Sequence, residues 1–391
     1  PEGLVPPVLN SDGTVNLGFG SNLEYDSQGE FVFAMMEFYR FTRDKEFLQK
    51  HYEKIKRALH FMTQLRAKTL ASDYMKDEQA RERFVGIFPP SFSHEGYSPP
   101  VHSYWDDFFA LKGWKDGKAV AEILGDTTTA AWAEKEYLLL RASVKKSIEK
   151  TMEYKKIDFI PGCAEKGDFD PTSTTIAFFP CDERDILPYA SLQKMYTRYA
   201  REVAGRIKPD YHGGYTPYEI RNITSLVRLE KKDDALLLLD YILSCRRPAN
   251  WNHLAEVVLS DERMGSYIGD MPHTWVGSGY INAVRGMVVH EVNNKLVLFA
   301  GTPERWLRNG NGIKLANLPT YFGNLNLEAR AEGAVLTVKI GEGASPPEGF
   351  EVKWPILGKP KLVVVDGNVW SNYDEEGSRL PKTARNVIAK W

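Results

Sequence analysis

The chain has 391 residues, 43% of them hydrophobic and 26% charged, with a formal net charge of −2. That length predicts one large domain or two. The balanced charge argues against nucleic acid or an anionic membrane surface as a partner, and no apolar run approaches the ~20 residues that span a bilayer.

No signal peptide is visible, but the chain begins at Pro1 rather than Met, so a processed chain or a piece of a longer protein is expected. The compartment stays open between cytoplasmic and bacterial periplasmic or secreted. Cys163, Cys181 and Cys245 are odd in number and form no Cys-x-x-Cys. That argues against a disulfide framework or a thiolate zinc site.

Residues 1–28, rich in Gly, Pro and Asn, read as irregular. A helix is expected from Glu30, where Phe31, Ala34, Met35, Phe38 and Phe41 follow the i, i+3, i+4 rule. A second covers residues 45–71, with Tyr52, Ile55, Ala58, Leu59 and Met62 on one face. After a proline-rich loop come helices over 102–114 and 127–154, the latter opened by Asp126-Thr-Thr-Thr, which has capping chemistry. A short inner helix is expected at Pro171, then helices over 188–205, 217–230 and 233–245. A long loop carries residues 251–272, and a last helix runs over 275–290.

The helices thus come in pairs separated by long loops rich in Gly, Pro, His and aromatics. A simple bundle has short loops. Hairpins with long, chemically rich loops predict a toroid of hairpins with the functional loops at one rim. After Val292 the pattern changes to strands at 295–300, 335–340, 350–354 and 361–365, with a hairpin-turn signal at Asp366-Gly367. The expected division is a helical domain over 1–291 and a small antiparallel β-sandwich module over 292–391.

Four loop clusters place carboxylates beside aromatics: residues 22–30, 91–107, 165–172 and 251–275. The second is the densest. Ser91-Phe-Ser-His-Glu-Gly-Tyr-Ser-Pro-Pro-Val-His-Ser-Tyr-Trp-Asp-Asp107 holds Glu95, Tyr97, His102, Trp105, Asp106 and Asp107. Aromatic faces with carboxylates suit a sugar ring, and hydrolysis of a glycosidic bond needs two carboxyls, one protonated and one ionised. Asp106 and Asp107 follow Tyr-Trp and precede Phe-Phe-Ala-Leu, so at least one is expected near apolar surface with a raised pKa, which suits an acid. Glu256 lies in the apolar run Leu-Ala-Glu-Val-Val and reads either as a paired structural Glu or as catalytic. Acidic residues at helix starts are most often caps; Asp26, Asp44 and Asp170 fit that reading.

The histidines at 94, 102, 212, 253 and 273 are scattered singly, without His-Glu-x-x-His spacing, so no metal site is expected. No cofactor motif is present either: there is no Walker loop, dinucleotide fingerprint or Gly-x-Ser-x-Gly elbow.

The ordered set of motifs resembles the six-hairpin, (α/α)6-barrel glycoside hydrolases, particularly family 37 trehalases and family 63 α-glucosidases, and is closer still to uncharacterised bacterial glycosidase-like proteins. Tyr104-Trp-Asp-Asp107 is similar to their acid-bearing segment. Asp168-Phe-Asp-Pro-Thr172, Gly213-Gly-Tyr-Thr-Pro-Tyr218, Ala255-Glu-Val257 and Pro272-His-Thr-Trp-Val-Gly277 follow in the family's order, over roughly residues 20–290.

The resemblance implies a mainly α fold, an (α/α)6 toroid followed by the β module. It also implies an inverting, exo-acting hydrolase with Asp106 as acid (Asp107 the alternative) and Glu256 as base. Trp105, Trp251, Trp275 and Tyr97 would stack on the sugar; Glu95, His102, Asp170 and His273 would bind hydroxyls or tune the acid. The implied partner is a carbohydrate substrate. Departures are the absence of the trehalase arginine signatures and a count of about five hairpins against six. An N-terminal hairpin or domain is then expected elsewhere on the same protein.

Two other readings stand beside this one. A glycan lyase or sugar epimerase on the same toroid would centre on His102, His273 and Tyr215. A non-catalytic carbohydrate-binding fragment would need no complete site.

Overall fold

The computed structural model describes residues 2–16, 24–94, 96–208, 210–259, 261–265 and 267–391. The chain is mainly α, followed by a β module, as expected. It divides into two compact units, Pro1–Tyr199 and Ala200–Trp391.

In the first unit a small ribbon pairs β1 (Val8–Leu9) with β2 (Val15–Asn16). Helices α1 (Asp26–Thr42), α2 (Lys45–Leu70), α3 (Glu78–Phe84), α4 (Tyr104–Leu124) and α5 (Thr127–Lys155) follow. Short α6 (Pro171–Thr174) continues as a 3-10 turn, Thr175–Ala177, and α7 (Tyr189–Arg206) runs across the unit boundary. Local chemistry sets these ends. Asp44 accepts from Phe47 N at 2.9 Å to start α2, and Asp126 accepts from Thr129 N at 2.9 Å to start α5. Gly125, at φ 83°, closes α4 in the left-handed region that glycine enters without strain.

Helix α2 buries Leu48, Tyr52, Ile55, Ala58, Leu59 and Met62, the face its periodicity predicts. Helix α1 does not bury the predicted face: Val32 and Met36 are buried, while Phe38 and Phe41 are over two-fifths exposed. The reason is close backbone packing. A Cβ on Gly29 would lie 1.9 Å from Phe109 O, and one on Gly113 would lie 2.8 Å from Gly29 Cα. Glycine contact between α1 and α4, rather than an aromatic stripe, sets how α1 docks. The loop expected after residue 71 contains α3, and α4 runs on to Leu124.

In the second unit a 3-10 turn (Pro217–Arg221) leads into α8 (Asn222–Arg228), then α9 (Lys232–Ser244), a long loop and α10 (Thr274–Val288). Ten strands follow, with a short helix α11 (Glu304–Arg308) after the first two. In chain order they are β3 (Val289–Val292), β4 (Lys295–Leu298), β5 (Ile313–Thr320), β6 (Gly323–Glu332), β7 (Val335–Ile340), β8 (Phe350–Lys353), β9 (Leu362–Val365), β10 (Asn368–Val369), β11 (Gly377–Leu380) and β12 (Asn386–Lys390).

They form a six-stranded sheet, β10-β9-β12-β7-β6-β5, and a four-stranded sheet, β11-β8-β4-β3. Leu325, Leu327, Val338 and Val387 of one sheet share a core with Leu296, Phe350, Val352 and Leu380 of the other, which makes a sandwich. Pairing is antiparallel except between β4 and β8. The Asp366-Gly367 turn, at φ 49° and 84°, joins β9 to β10 as its sequence predicts.

Candidate active site

In the first unit two loops are zipped together ahead of α4 and α6. Isolated bridges pair Ser91 with Val101, Ser103 with Cys163 and Pro161 with Phe169. Gly162 sits where they meet: a Cβ there would come within 2.6 Å of the Tyr97 hydroxyl and 3.0 Å of Asp170 Cβ. Its lack of a side chain lets Tyr97, Asp168 and Asp170 gather.

Ser103 caps α4, and the first turn of α4 carries Trp105, Asp106 and Asp107 inward. Both carboxylates are fully buried. Ser91 Oγ donates to Asp106 Oδ2, while Asp106 Oδ1 has no hydrogen-bond partner among the described residues. Asp107 Oδ1 accepts from Phe88 N at 2.9 Å, and its Oδ2 is likewise unsatisfied. Burial holds the Asp106 carboxyl well above the usual carboxylate range; the negative charge of Asp26 adds to this, and the Ser91 and Ser93 hydroxyls oppose it. Burial pushes Asp107 up to about 8 against the Phe88 amide and Arg66. Burial therefore favours the protonated form of both groups.

Asp26, expected to be a cap, instead lies buried against this turn. It accepts from Trp105 Nε1 at 2.7 Å and from Ser27 N at 2.8 Å. His94 stacks on Trp105 with ring centroids 4.6 Å apart and 28° between planes. Its Nδ1 is 2.9 Å from Ser93 Oγ and its Nε2 is 3.2 Å from Ser173 Oγ. Asp170 caps α6, accepting from Ser173 N at 3.0 Å and Ser173 Oγ at 2.5 Å.

Two expected sugar contacts have other partners. Both ring nitrogens of His102 are engaged, Nδ1 with Glu165 Oε1 at 2.5 Å and Nε2 with the Tyr74 hydroxyl at 2.6 Å. Tyr97 is buried, and its hydroxyl donates to Asp168 Oδ2 at 2.8 Å. Glu95 lies outside the described residues. The sequence reading thus missed Asp26, Ser91, Ser93 and the place of His94; the signal was present in Ser91-Phe-Ser-His94, polar residues on one side of a bend at positive φ.

In the second unit Glu256 is held by its backbone, its N–H donating to Asp270 O at 3.0 Å and its carbonyl accepting from Thr216 Oγ1 at 2.8 Å. The side chain is half-buried. Tyr215 and Val258 form a bridge beside it, with Val258 also bridging Ile268. His273 and Trp275 meet at Tyr218: the Tyr218 hydroxyl is 3.0 Å from His273 Nε2, and its ring packs edge-on to Trp275 at 5.8 Å. Arg221 lies over both Tyr218 and Trp275. Trp275 is partly exposed, and Trp251, with His253 at its edge, is more so. In the sequence Tyr218 is legible only as the end of the motif Gly213-Gly-Tyr-Thr-Pro-Tyr218, and Arg221 is not singled out.

Among the described residues no group of three or more His, Cys, Asp or Glu is arranged to hold a metal ion. No helix there is long and apolar enough to cross a membrane.

No protein-family model matches the chain, and neither does any curated protein. Solved structures do. The chain is similar to an α-L-rhamnosidase from Dictyoglumus thermophilum, with a TM-score of 0.54 and 14% identity over 94% of this chain and 40% of that one. It is also similar to the Streptomyces avermitilis α-L-rhamnosidase complexed with L-rhamnose, with a TM-score of 0.52 and 11% identity over 93% and 32%. A GH78 family rhamnosidase of Bacillus sp. GL1 aligns less well, at a TM-score of 0.46. The chain thus spans less than half the length of these proteins, and the likeness is one of fold. They are glycoside hydrolases, as the motif order led us to expect, but rhamnosidases; they lend no support to families 37 or 63 in particular.

Proposed function

We propose that this chain carries the core of a glycoside hydrolase that removes a terminal sugar by an acid–base carboxylate pair with inversion. The observation that carries the reading is Asp106: burial holds its carboxyl well above the usual carboxylate range, next to a Trp105–His94 stack, and so favours the protonated form that a general acid needs. The fold it shares with two α-L-rhamnosidases supports the class, and α-L-rhamnosides are the first substrates to try.

Asp106 gives its proton to the leaving oxygen, and Glu256 takes one from the attacking water. Asp107, bonded to the Phe88 amide, supports the turn that presents Asp106. Trp275 and Trp251 are the aromatic surfaces open to a ligand, and His273, Asp170 and Glu95 are the candidates for binding its hydroxyls. The domain boundary follows the change from helix to strand, near residues 291–292, and the hairpins of residues 1–291 belong to an (α/α)6 toroid.

The test is a panel of 4-nitrophenyl glycosides that includes the α-L-rhamnopyranoside, with the first-formed anomer read by NMR. Hydrolysis with inversion is expected, and Glu256→Gln should lower kcat by about 10²-fold or more. Activity that survives this change would rule out the pair and favour proton abstraction by His or Tyr. Binding of the sugars with no turnover would instead support the carbohydrate-binding reading.

A further inference from the structure

The outer face of the six-stranded sheet carries charge that its own ion pairs do not use up. Along β6, Leu325, Leu327, Ala329 and Ala331 point into the core, so Glu328, Arg330 and Glu332 point out. On β7, Leu336, Val338 and Ile340 point in, and Val335, Thr337 and Lys339 point out. Lys314 of β5, Glu328 and Lys339 stand opposite one another in a row across three strands, and Arg330 stands opposite Thr337 in the next row on that face. These side chains line a cavity of about 650 Å³, within the ~300–1,000 Å³ of small-ligand sites.

The lining sets Lys314, Arg330 and Lys339 against Glu328 and Glu332. Lys314 Nζ pairs with Glu328 Oε1 at 2.8 Å, and Arg330 Nη2 pairs with Glu332 Oε1 at 2.9 Å. Both carboxylates are thereby committed, and Lys339 has no ion pair among the described residues. Lys390, opposite Val335 on β12, is a second cation of this face without one. The face thus holds surplus positive charge on a chain whose formal net charge is −2. No aromatic side chain lines the cavity among the described residues. A neutral sugar or a nucleic-acid base is best held by a ring to stack on. Here charge and hydrogen bonding supply the recognition, from Lys339 and from the Thr337 hydroxyl, which can both donate and accept.

We propose that this face binds an acidic oligosaccharide, one whose sugar rings carry carboxylates. A carboxylate lies against Lys339 and a hydroxyl of the same or the next ring against Thr337. The two residues are on one face of β7, about 7 Å apart along the strand, a span that a sugar ring and its carboxylate cover. The inference rests on the proposed function only for the ligand being a glycan.

The test is calorimetry of the full chain at low salt with trigalacturonate, and with its full methyl ester, which has the same rings and no charge. Trigalacturonate should bind and the ester should bind about fivefold more weakly or not at all. Added salt should weaken the first. Lys339→Glu should weaken trigalacturonate about fivefold or more, and Lys339→Gln in the same direction by less. Lys145→Glu, the same change of charge at an exposed position of α5, should leave the affinity as it is. Equal binding of acid and ester, or equal losses in the Lys339 and Lys145 variants, overturns the site. So does equally tight binding of oligothymidylate, the mark of a face that takes any polyanion. Binding that follows Lys339 in a chain that hydrolyses no glycoside upholds the site and sinks only the glycosidase reading. Hydrolysis by a chain that binds no trigalacturonate overturns the site and leaves that reading standing.

Discussion

Asp107 shows at the scale of one residue how the site is charged. Its folded pKa, about 8, lies above the ordinary aspartate value of 3.8, so the folded state binds the extra proton between those values. The stability this contributes is complete below about pH 4 and is lost as pH rises through 8. Asn keeps the acceptor for the Phe88 amide and cannot ionise. Asp107→Asn should therefore flatten the fall in urea midpoint between pH 5 and 9, gaining on the order of 1–3 kcal/mol over wild type at pH 9. An unchanged slope would contradict a neutral Asp107. Trp105→Phe makes a complementary prediction. It strips the indole donor from buried Asp26 and should cost about 1–3 kcal/mol by urea unfolding.

At the scale of elements, the α1–α4 contact makes a sharp prediction. Gly29→Ala places a methyl against Phe109 backbone, which no rotamer relieves, and should destabilise by about 1–3 kcal/mol in thermal or urea unfolding. Gly125 is open, with nothing within 4 Å of a Cβ, but at φ 83° its substitution by Ala carries backbone strain alone. The same contact explains why one helix face was misread. Periodicity identified α2 because its apolar stripe is what packs; α1 packs through glycine, which leaves no hydrophobic signature. Caps at Asp44, Asp126 and Asp170 and the Asp366-Gly367 turn were legible because their chemistry is local. Strand β6 was missed although Leu325, Leu327, Ala329 and Ala331 alternate, since two of its four inward residues are only alanine.

Across the whole molecule, the class of fold was legible from the change of period near residue 290. The strand order, with its one parallel pair between β4 and β8, was not: partners distant in sequence leave no trace in either strand alone. The candidate site was half legible. Carboxylates next to aromatics marked Tyr104-Trp-Asp-Asp107. The sequence did not reveal that Asp26, 80 residues away from Asp106, lies against the same turn, or that His102 is committed to Glu165 and Tyr74.

The central claim is that Asp106 is the acid of a glycosidase, and leaving-group dependence tests it most directly. A 2,4-dinitrophenyl glycoside departs without protonation, whereas a 4-methoxyphenyl glycoside of the same sugar needs an acid. Asp106→Asn should lose about 10²-fold or more of kcat/KM on the second and little on the first. Equal losses on both substrates, or no loss on either, would contradict the claim.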